Sequence, residues 1–90
     1  MNSQDLNLII KKLLYKSKHR GCKETDLILG KFAEEFIFSM NSTELTEFTK
    51  ILEQNDADIY DWCSGKIPPP SSLNSKTMHK LLEFSINIIK

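Results

Sequence analysis

A group of polar and reactive side chains lies at positions 19–24, where the sequence reads His19-Arg20-Gly21-Cys22-Lys23-Glu24. An imidazole, a guanidinium, a thiol and a carboxylate so close together could exchange protons or bind polar groups of another protein. Arginine presents a rigid fork of donors that suits carboxylates and backbone carbonyls, and lysine cannot reproduce it. Arg20 is the one arginine among twelve basic residues. The segment is therefore a candidate for binding another protein.

Two interpretations of this segment are open. In the local one, Gly21 supplies a turn with positive φ and Arg20 pairs with Glu24 four residues on. In the functional one, the turn presents the guanidinium, the imidazole and the carboxylate outward on one convex edge. The Cys22 thiol lies beside two cations, which could lower its pKa, but no cysteine–histidine–acid arrangement is evident. The sequence therefore predicts no catalytic residue.

Metal and cofactor sites are not predicted either. The spacing of acidic and amide residues at Asn55, Asp56 and Asp58 resembles the start of a calcium-binding loop. However, Asp61 occupies the position where such a loop needs glycine, and Ile67 the position where it needs glutamate. The two cysteines, 41 positions apart, and the two histidines match no zinc-ligand spacing. A dinucleotide-binding fingerprint is missing as well. We therefore assign the aspartates to helix capping, by Asp56 or Asp58.

The elements that position these side chains are helices. Apolar residues recur every three or four positions, and no stretch alternates with the period of a strand. The predicted inward faces of five helices are Leu6, Ile9, Ile10, Leu13 and Leu14; Leu29, Phe32, Ala33, Phe36, Ile37 and Met40; Leu45, Phe48, Ile51 and Leu52; Ile59, Trp62 and Cys63; and Met78, Leu81, Leu82, Ser85 and Ile89. The apolar residues that fall off these faces, as candidates for an exposed patch, are Leu8, Ile28, Phe38 and Ile86.

Local signals predict where the helices end and how they pack. Asn41, with Glu44 three residues on, predicts a capping box at the third helix. The fourth helix stops at Gly65, and the last begins at about Asn74 after three consecutive prolines. Gly30 inside the second helix predicts a close approach to another helix. The sequence thus predicts an all-α fold, a small five-helix bundle in which residues 1–90 form a single helical domain.

The formal net charge is zero, but the charge is unevenly distributed along the 90 residues. Residues 1–23 carry a net charge of +5, residues 24–62 carry −8, and residues 63–90 carry +3. Such a chain can be steered toward a patterned protein surface, whereas its acidic centre repels nucleic-acid phosphates. The chain starts with polar residues, and no apolar run reaches the roughly 18 residues of a membrane span. We expect a cytoplasmic bacterial protein that does not bind nucleic acid and does not insert directly into a membrane.

Two segments resemble a known family. Arg20-Gly21-x-x-Glu24 followed by Asp26-Leu27-x-Leu29-Gly30-x-Phe32 is similar to the hallmark of the SdhE family, also called succinate dehydrogenase assembly factor 2. The segment 56–62 resembles the family's Asp-x-Asp-Leu-x-x-Trp segment, with Ile59 in place of leucine. The likeness covers residues 8–70. It departs from the family pattern at His19, where arginine is common, and at Cys22, where methionine is common.

The resemblance implies a five-helix bundle that binds the flavoprotein subunit of succinate dehydrogenase or fumarate reductase. It implies that the chain promotes covalent attachment of FAD to a histidine of that subunit, without being an enzyme itself. An antitoxin-like regulatory module acting on a membrane-associated partner is the alternative that the sequence leaves open. The residues assigned to partner binding are Arg20, Gly21 and Glu24, flanked by His19, Cys22 and Lys23.

Overall fold

The computed structural model describes residues 3–89, with side chains for residues 5–88. Within this range it contains five α-helices and no strand, so the predicted all-α class is confirmed. None of the described helices is long and apolar enough to cross a lipid bilayer. The helices are α1 (Ser3–Lys18), α2 (Lys23–Phe36), α3 (Ser42–Leu52), α4 (Asp56–Cys63) and α5 (Lys76–Ile89), with short 3-10 turns at Ile37–Ser39 and Ser71–Leu73.

The core is built around α2, which contacts α1, α4 and α5. Its Phe32 is fully buried, and the rings of Phe32, Phe36, Phe48 and Phe84 pack with centroids 5.0 to 5.7 Å apart. Ile28, one of the four candidates for an exposed patch, is only 1% exposed and therefore belongs to the core instead. The reason is that neighbours cover α2 on more than one side, which widens its apolar face beyond one stripe.

Gly30 lies where α1 and α2 approach closely, as the sequence predicts. A Cβ atom at this position would be 3.4 Å from Lys18 Cγ and 3.8 Å from the Ser17 carbonyl oxygen. Ser17 is buried as well, and its hydroxyl donates to the Leu13 carbonyl oxygen at 2.7 Å. The end of α1 is therefore packed firmly against α2, which fixes the starting point of the connection between them.

The predicted capping box of α3 is confirmed. The Glu44 backbone N–H donates to Asn41 Oδ1 at 2.9 Å, and the Asn41 N–H donates to Glu44 Oε1 at 3.1 Å. The second helix is shorter than its apolar pattern suggests, since α2 ends at Phe36 and a 3-10 turn follows. That turn still directs Ile37 and Met40 into the core, which explains why both fit the helical spacing.

The cap of α4 differs from the prediction. Asn55, rather than Asp56 or Asp58, accepts the hydrogen bond from the Asp58 backbone N–H, at 2.8 Å. The Asn55 side chain also donates to Asp58 Oδ2 at 2.9 Å. The Asp56 carboxylate is therefore available to another partner. Gly65 follows α4 with a φ of 84°, as expected of a glycine at the end of a helix.

The last helix begins at Lys76, two residues after the predicted start, because Ser75 Oγ accepts the Met78 backbone N–H at 3.0 Å. Its Ser85 is buried and donates to the Cys63 carbonyl oxygen at 3.2 Å, which joins α5 to α4. The side chain of Ile89 lies outside the described residues. Three of the four apolar residues placed off the helix faces are exposed, on separate elements: Leu8, Phe38 and Ile86.

Candidate functional site

The connection between α1 and α2, residues 19–24 and hereafter the corner, is held in place by the Arg20 guanidinium. Arg20 Nε donates to Asp56 Oδ1 at 2.7 Å. The two terminal nitrogens donate to the carbonyl oxygens of Leu52 and Gln54, at 2.6 and 2.7 Å. The cation thus closes the C-terminal end of α3, where carbonyl oxygens lack helical partners, and pairs with the first residue of α4. One side chain joins three parts of the bundle.

This geometry overturns the expectation that Arg20 points outward. Its side chain is only 11% exposed, and the carboxylate it pairs with belongs to Asp56, not to Glu24. A pair with Glu24 would have left the guanidinium in water, whereas the junction of α3 and α4 offers three acceptors at once. Charge-assisted hydrogen bonds of this kind are stronger than neutral ones, so the inward position is favoured.

Further hydrogen bonds tie the corner to α4. Asp56 Oδ2 accepts the Gly21 backbone N–H at 3.1 Å, so the two carboxylate oxygens bind two neighbouring residues of the corner. The Thr25 hydroxyl donates to the Asp56 carbonyl oxygen at 3.3 Å. The Arg20 backbone N–H donates to the Asp26 carboxylate. Together these bonds give the corner one defined backbone conformation.

Gly21 is exposed but does not adopt positive φ, since Gly65 is the one glycine with positive φ in the described part of the chain. The local interpretation of Gly21 as a left-handed turn is therefore wrong. A Cβ atom there would lie 3.5 Å from Asp56 Oδ2, an ordinary contact. What the glycine provides is bare backbone at the surface, where a branched side chain would project toward the Asp56 carboxylate or cover the peptide.

Glu24 remains at the surface in the first turn of α2. The Cys22 thiol donates to Glu24 Oε2 at 3.2 Å. This hydrogen bond is the main reason why the pKa of Glu24 lies below its usual range, and the backbone N–H of Glu24 and the charge of Lys23 act in the same direction. The corner thus presents an ionised carboxylate at neutral pH. Cys22 is half-buried and acts here as the donor to that carboxylate.

An aromatic pair that the sequence analysis did not single out adjoins the corner. The rings of Tyr15 and His19 are stacked, with centroids 4.1 Å apart and planes at 25°. Both side chains are exposed, Tyr15 to 65%. They are four residues apart across the end of α1, a spacing that brings side chains together on a helix and that could have identified the pair. His19 therefore lies at the surface, as predicted, but with an aromatic neighbour.

Shallow depressions flank the corner on both sides. One, of about 430 Å³, lies between the end of α1 and the junction of α3 and α4, with Gly21 in its wall. The other, of about 730 Å³, runs along α2 and has Lys23, Glu24 and the half-exposed Leu27 in its wall. Neither is an enclosed cleft. The corner is therefore a ridge between two open surfaces, a shape that suits contact with a protein.

Within the described residues, no group of three or more histidine, cysteine or acidic side chains could hold a metal ion. Cys22 and Cys63 are both free. Cys63 is buried, and burial raises the pKa of its thiol to about 11, an effect that a hydrogen bond with Ser85 partly offsets. The Cys63 thiol is thus protonated at neutral pH and belongs to the core.

Asp56 is the residue of this site that sequence reasoning missed. It lies 36 positions from Arg20, and no local spacing connects the two. The one available signal was negative: Asn55 is a good capping residue directly before it, which leaves the Asp56 carboxylate without a capping role. The acidic side chain that pairs with Arg20 could be chosen only once the helices were packed.

Comparison with known proteins assigns the family. Residues 11–85 match the family described as the flavinator of succinate dehydrogenase. The chain belongs to this family. It is 40% identical over 80 residues to a succinate dehydrogenase assembly factor 2, mitochondrial, of Saccharomyces cerevisiae, a match that covers 84% of this chain and 49% of the yeast protein. The resemblance deduced from the corner is confirmed.

Other members of the family give similar matches. The assembly factor 2 of Schizosaccharomyces japonicus is 40% identical over 78 residues, which is 86% of this chain and 54% of that protein. The FAD assembly factor SdhE of Acetobacter pasteurianus is 33% identical over 75 residues, which is 83% of this chain and 69% of the bacterial protein. The chain thus spans about half the length of these two yeast relatives and a larger share of the bacterial one.

Proposed function

We propose that the chain binds the flavoprotein subunit of succinate dehydrogenase, or of fumarate reductase, and promotes covalent attachment of FAD to a histidine of that subunit. Membership in the flavinator family supports this proposal, as do the names of the yeast and bacterial relatives. The reaction takes place in the bacterial cytoplasm, and the chain itself supplies no catalytic residue. Bond formation occurs on the flavoprotein.

The observation that carries the proposal is the rigid corner. Arg20 binds the α3–α4 junction through three hydrogen bonds and the Gly21 N–H donates to Asp56, so the backbone at Gly21 is held in place before any partner arrives. The Glu24 carboxylate, in turn, accepts the hydrogen bond of the Cys22 thiol. A preorganised contact surface loses less conformational entropy on binding than a mobile loop does. Arg20 is thus a positioning residue. The residues proposed to touch the flavoprotein are Gly21 and Glu24, with His19, Cys22 and Lys23 beside them.

The proposed mechanism is stabilisation of one conformation of the flavoprotein. A partner can shift a conformational equilibrium only by binding one state more tightly than the other. The bare backbone at Gly21 permits a close approach, and the ionised Glu24 can accept charge-assisted hydrogen bonds from a cationic or N–H group of the flavoprotein. Both contacts would favour the state in which the flavin lies close to its histidine.

The test is co-expression of the flavoprotein with the wild-type chain or with Glu24→Ala, followed by in-gel flavin fluorescence of the denatured flavoprotein. We expect Glu24→Ala to lower the fluorescence several-fold, because it removes the exposed carboxylate without touching the core. Glu83→Ala is the matched control, since Glu83 is an equally exposed glutamate on α5. Circular dichroism of both variants checks that the bundle remains folded.

Gly21→Val tests the second contact in the same assay and is expected to lower the fluorescence by blocking close approach. Full fluorescence with Glu24→Ala and with Gly21→Val would refute the assignment of the corner. Fluorescence that does not depend on the wild-type chain at all would refute the function itself. Co-purification of a small membrane protein in place of the flavoprotein would instead support the antitoxin-like alternative.

A further inference from the structure

The exposed pair formed by Tyr15 in the last turn of α1 and His19 at the start of the corner does not contribute to the core. Tyr15 is 65% exposed, and no described residue forms a hydrogen bond with its hydroxyl. Stacking on His19 nevertheless restricts the ring to one orientation. Tyrosine is enriched among residues that dominate binding energies, and a ring that is already ordered loses little entropy on contact. The two side chains therefore have the properties expected of residues that bind a partner, rather than of residues that stabilise the fold.

Positive charge accompanies this pair along α1. Lys12 and Lys16 are exposed and four residues apart, and neither forms an ion pair with any described residue. Lys18, by contrast, pairs with Glu34 at 2.7 Å. Two lysines at this spacing repel each other within the helix. The helix thus keeps a local excess of positive charge at two lysines that form no ion pair with a described residue.

These side chains lie on one surface because residues three, four and seven apart share a helix face. Lys16 lines the depression beside the corner and also a groove of about 260 Å³ between α1 and α3. The groove contains Leu13 and Leu45, each only 3% exposed, so its floor is apolar. Lys12 and Lys16 are the charged residues that line the groove, whereas Glu53 and Asp56 also line the depression beside the corner. Along α1 itself, one basic surface runs from the groove to the depression. We call it the α1 face and define it as Lys12, Tyr15, Lys16 and His19.

We propose that the α1 face is a second docking element, which binds an acidic segment of the flavoprotein carrying an apolar side chain. The inference rests on the proposed function, because it extends the same interface. Charge complementarity decides the occupant: carboxylates bind beside Lys12 and Lys16, while the apolar side chain packs on the Tyr15 ring or enters the groove. Such a surface also accelerates encounter with an acidic partner.

The experiment measures association and dissociation rates of the full chain with the purified flavoprotein. For Lys12→Glu/Lys16→Glu we expect the association rate to fall about tenfold or more at about 0.01 M salt, where electrostatic steering is strong. The difference from wild type should largely vanish at about 1 M salt, where the screening length is about 3 Å. For Tyr15→Ala we expect dissociation about tenfold faster, since most interface substitutions act on this rate.

The matched control is Lys66→Glu/Lys76→Glu, which changes the net charge equally at two exposed lysines far along the chain from α1. We expect its rates to stay close to those of the wild type. Equal slowing by both double variants would mean that net charge alone matters and would overturn the inference, as would wild-type rates for the α1 variants. If the wild-type chain does not bind the flavoprotein at all, the proposed function fails first.

Discussion

Replacing Arg20 with alanine removes a cation from the junction of three helices and leaves its acceptors without a partner. The substitution deletes the hydrogen bonds to Asp56, to the Leu52 carbonyl and to the Gln54 carbonyl. Hydrogen bonds from a charged donor contribute about 1.5–3 kcal/mol each. The junction is not fully closed to water, because the Asp56 side chain is 24% exposed. With solvent replacing part of each bond, we expect a loss of about 3 kcal/mol in the free energy of unfolding.

This loss is large for a chain of 90 residues. Each 1 kcal/mol corresponds to about 4–8 °C in Tm at this size, so Arg20→Ala should lower Tm by about 12–24 °C. The assay is thermal and urea unfolding followed by circular dichroism. Arg20→Lys retains the charge but lacks the planar fork, and we expect it to lose about 1–2 kcal/mol. Glu24→Ala, at the exposed end of the corner, should leave the Tm close to that of the wild type.

A double-mutant cycle isolates the contact between Arg20 and Asp56. Asp56→Asn keeps the size of the side chain but removes its charge, and the two single losses should exceed the joint loss by about 1 kcal/mol or more. An unfolding free energy for Arg20→Ala within about 0.5 kcal/mol of wild type would refute the structural role of the guanidinium. A cycle with no coupling would show that Asp56 is not its partner in solution.

Further predictions concern the thiols, a helix end and a cap. Folding raises the pKa of the Cys63 thiol from 9.0 to about 11, so this thiol loses its proton at lower pH in the unfolded chain than in the folded one. The free energy of unfolding should therefore decline as the pH rises between these two values, which urea unfolding at several pH values can measure. At pH 8 an alkylating reagent should modify Cys22 well before Cys63, as mass spectrometry can show. Gly65→Ala should cost about 1 kcal/mol because it forces positive φ on alanine, and a Tm at or above that of wild type would contradict this. Asn41→Ala should also cost about 1 kcal/mol through loss of the capping box, with Thr43→Ala as an exposed control in urea unfolding.

The features that could be predicted from the sequence depend on residues close together in the chain. The capping box needs only Asn41 and Glu44, three positions apart, and the end of α4 needs only Gly65. The close approach at Gly30 could be predicted because a glycine inside a helix is costly unless it permits packing. Helical spacing located the five helices for the same reason, since the period of a helix appears within two turns.

The features that could not be predicted depend on contacts between distant segments. Ile28 does not belong to the main stripe of α2, and it is buried because helices pack on several sides of α2. The partner of Arg20 is 36 positions away, whereas Glu24 stands at the spacing of a local ion pair. Local spacing therefore favoured a pair that the packed bundle does not form. Family resemblance located the corner but did not indicate which of its side chains face inward.

The Arg20 interaction also determines how the sequence can change during evolution. Two of its three acceptors are main-chain carbonyl oxygens, at positions 52 and 54. A main-chain oxygen is present whatever side chain the residue carries, so a mutation at position 54 keeps its bond to Arg20. The same holds at position 52, provided that the new side chain still fits the core, because Leu52 is buried. The third bond depends on the identity of residue 56. Among related sequences, the residue types at positions 20 and 56 should therefore covary, whereas the residue type at position 54 should vary independently of position 20.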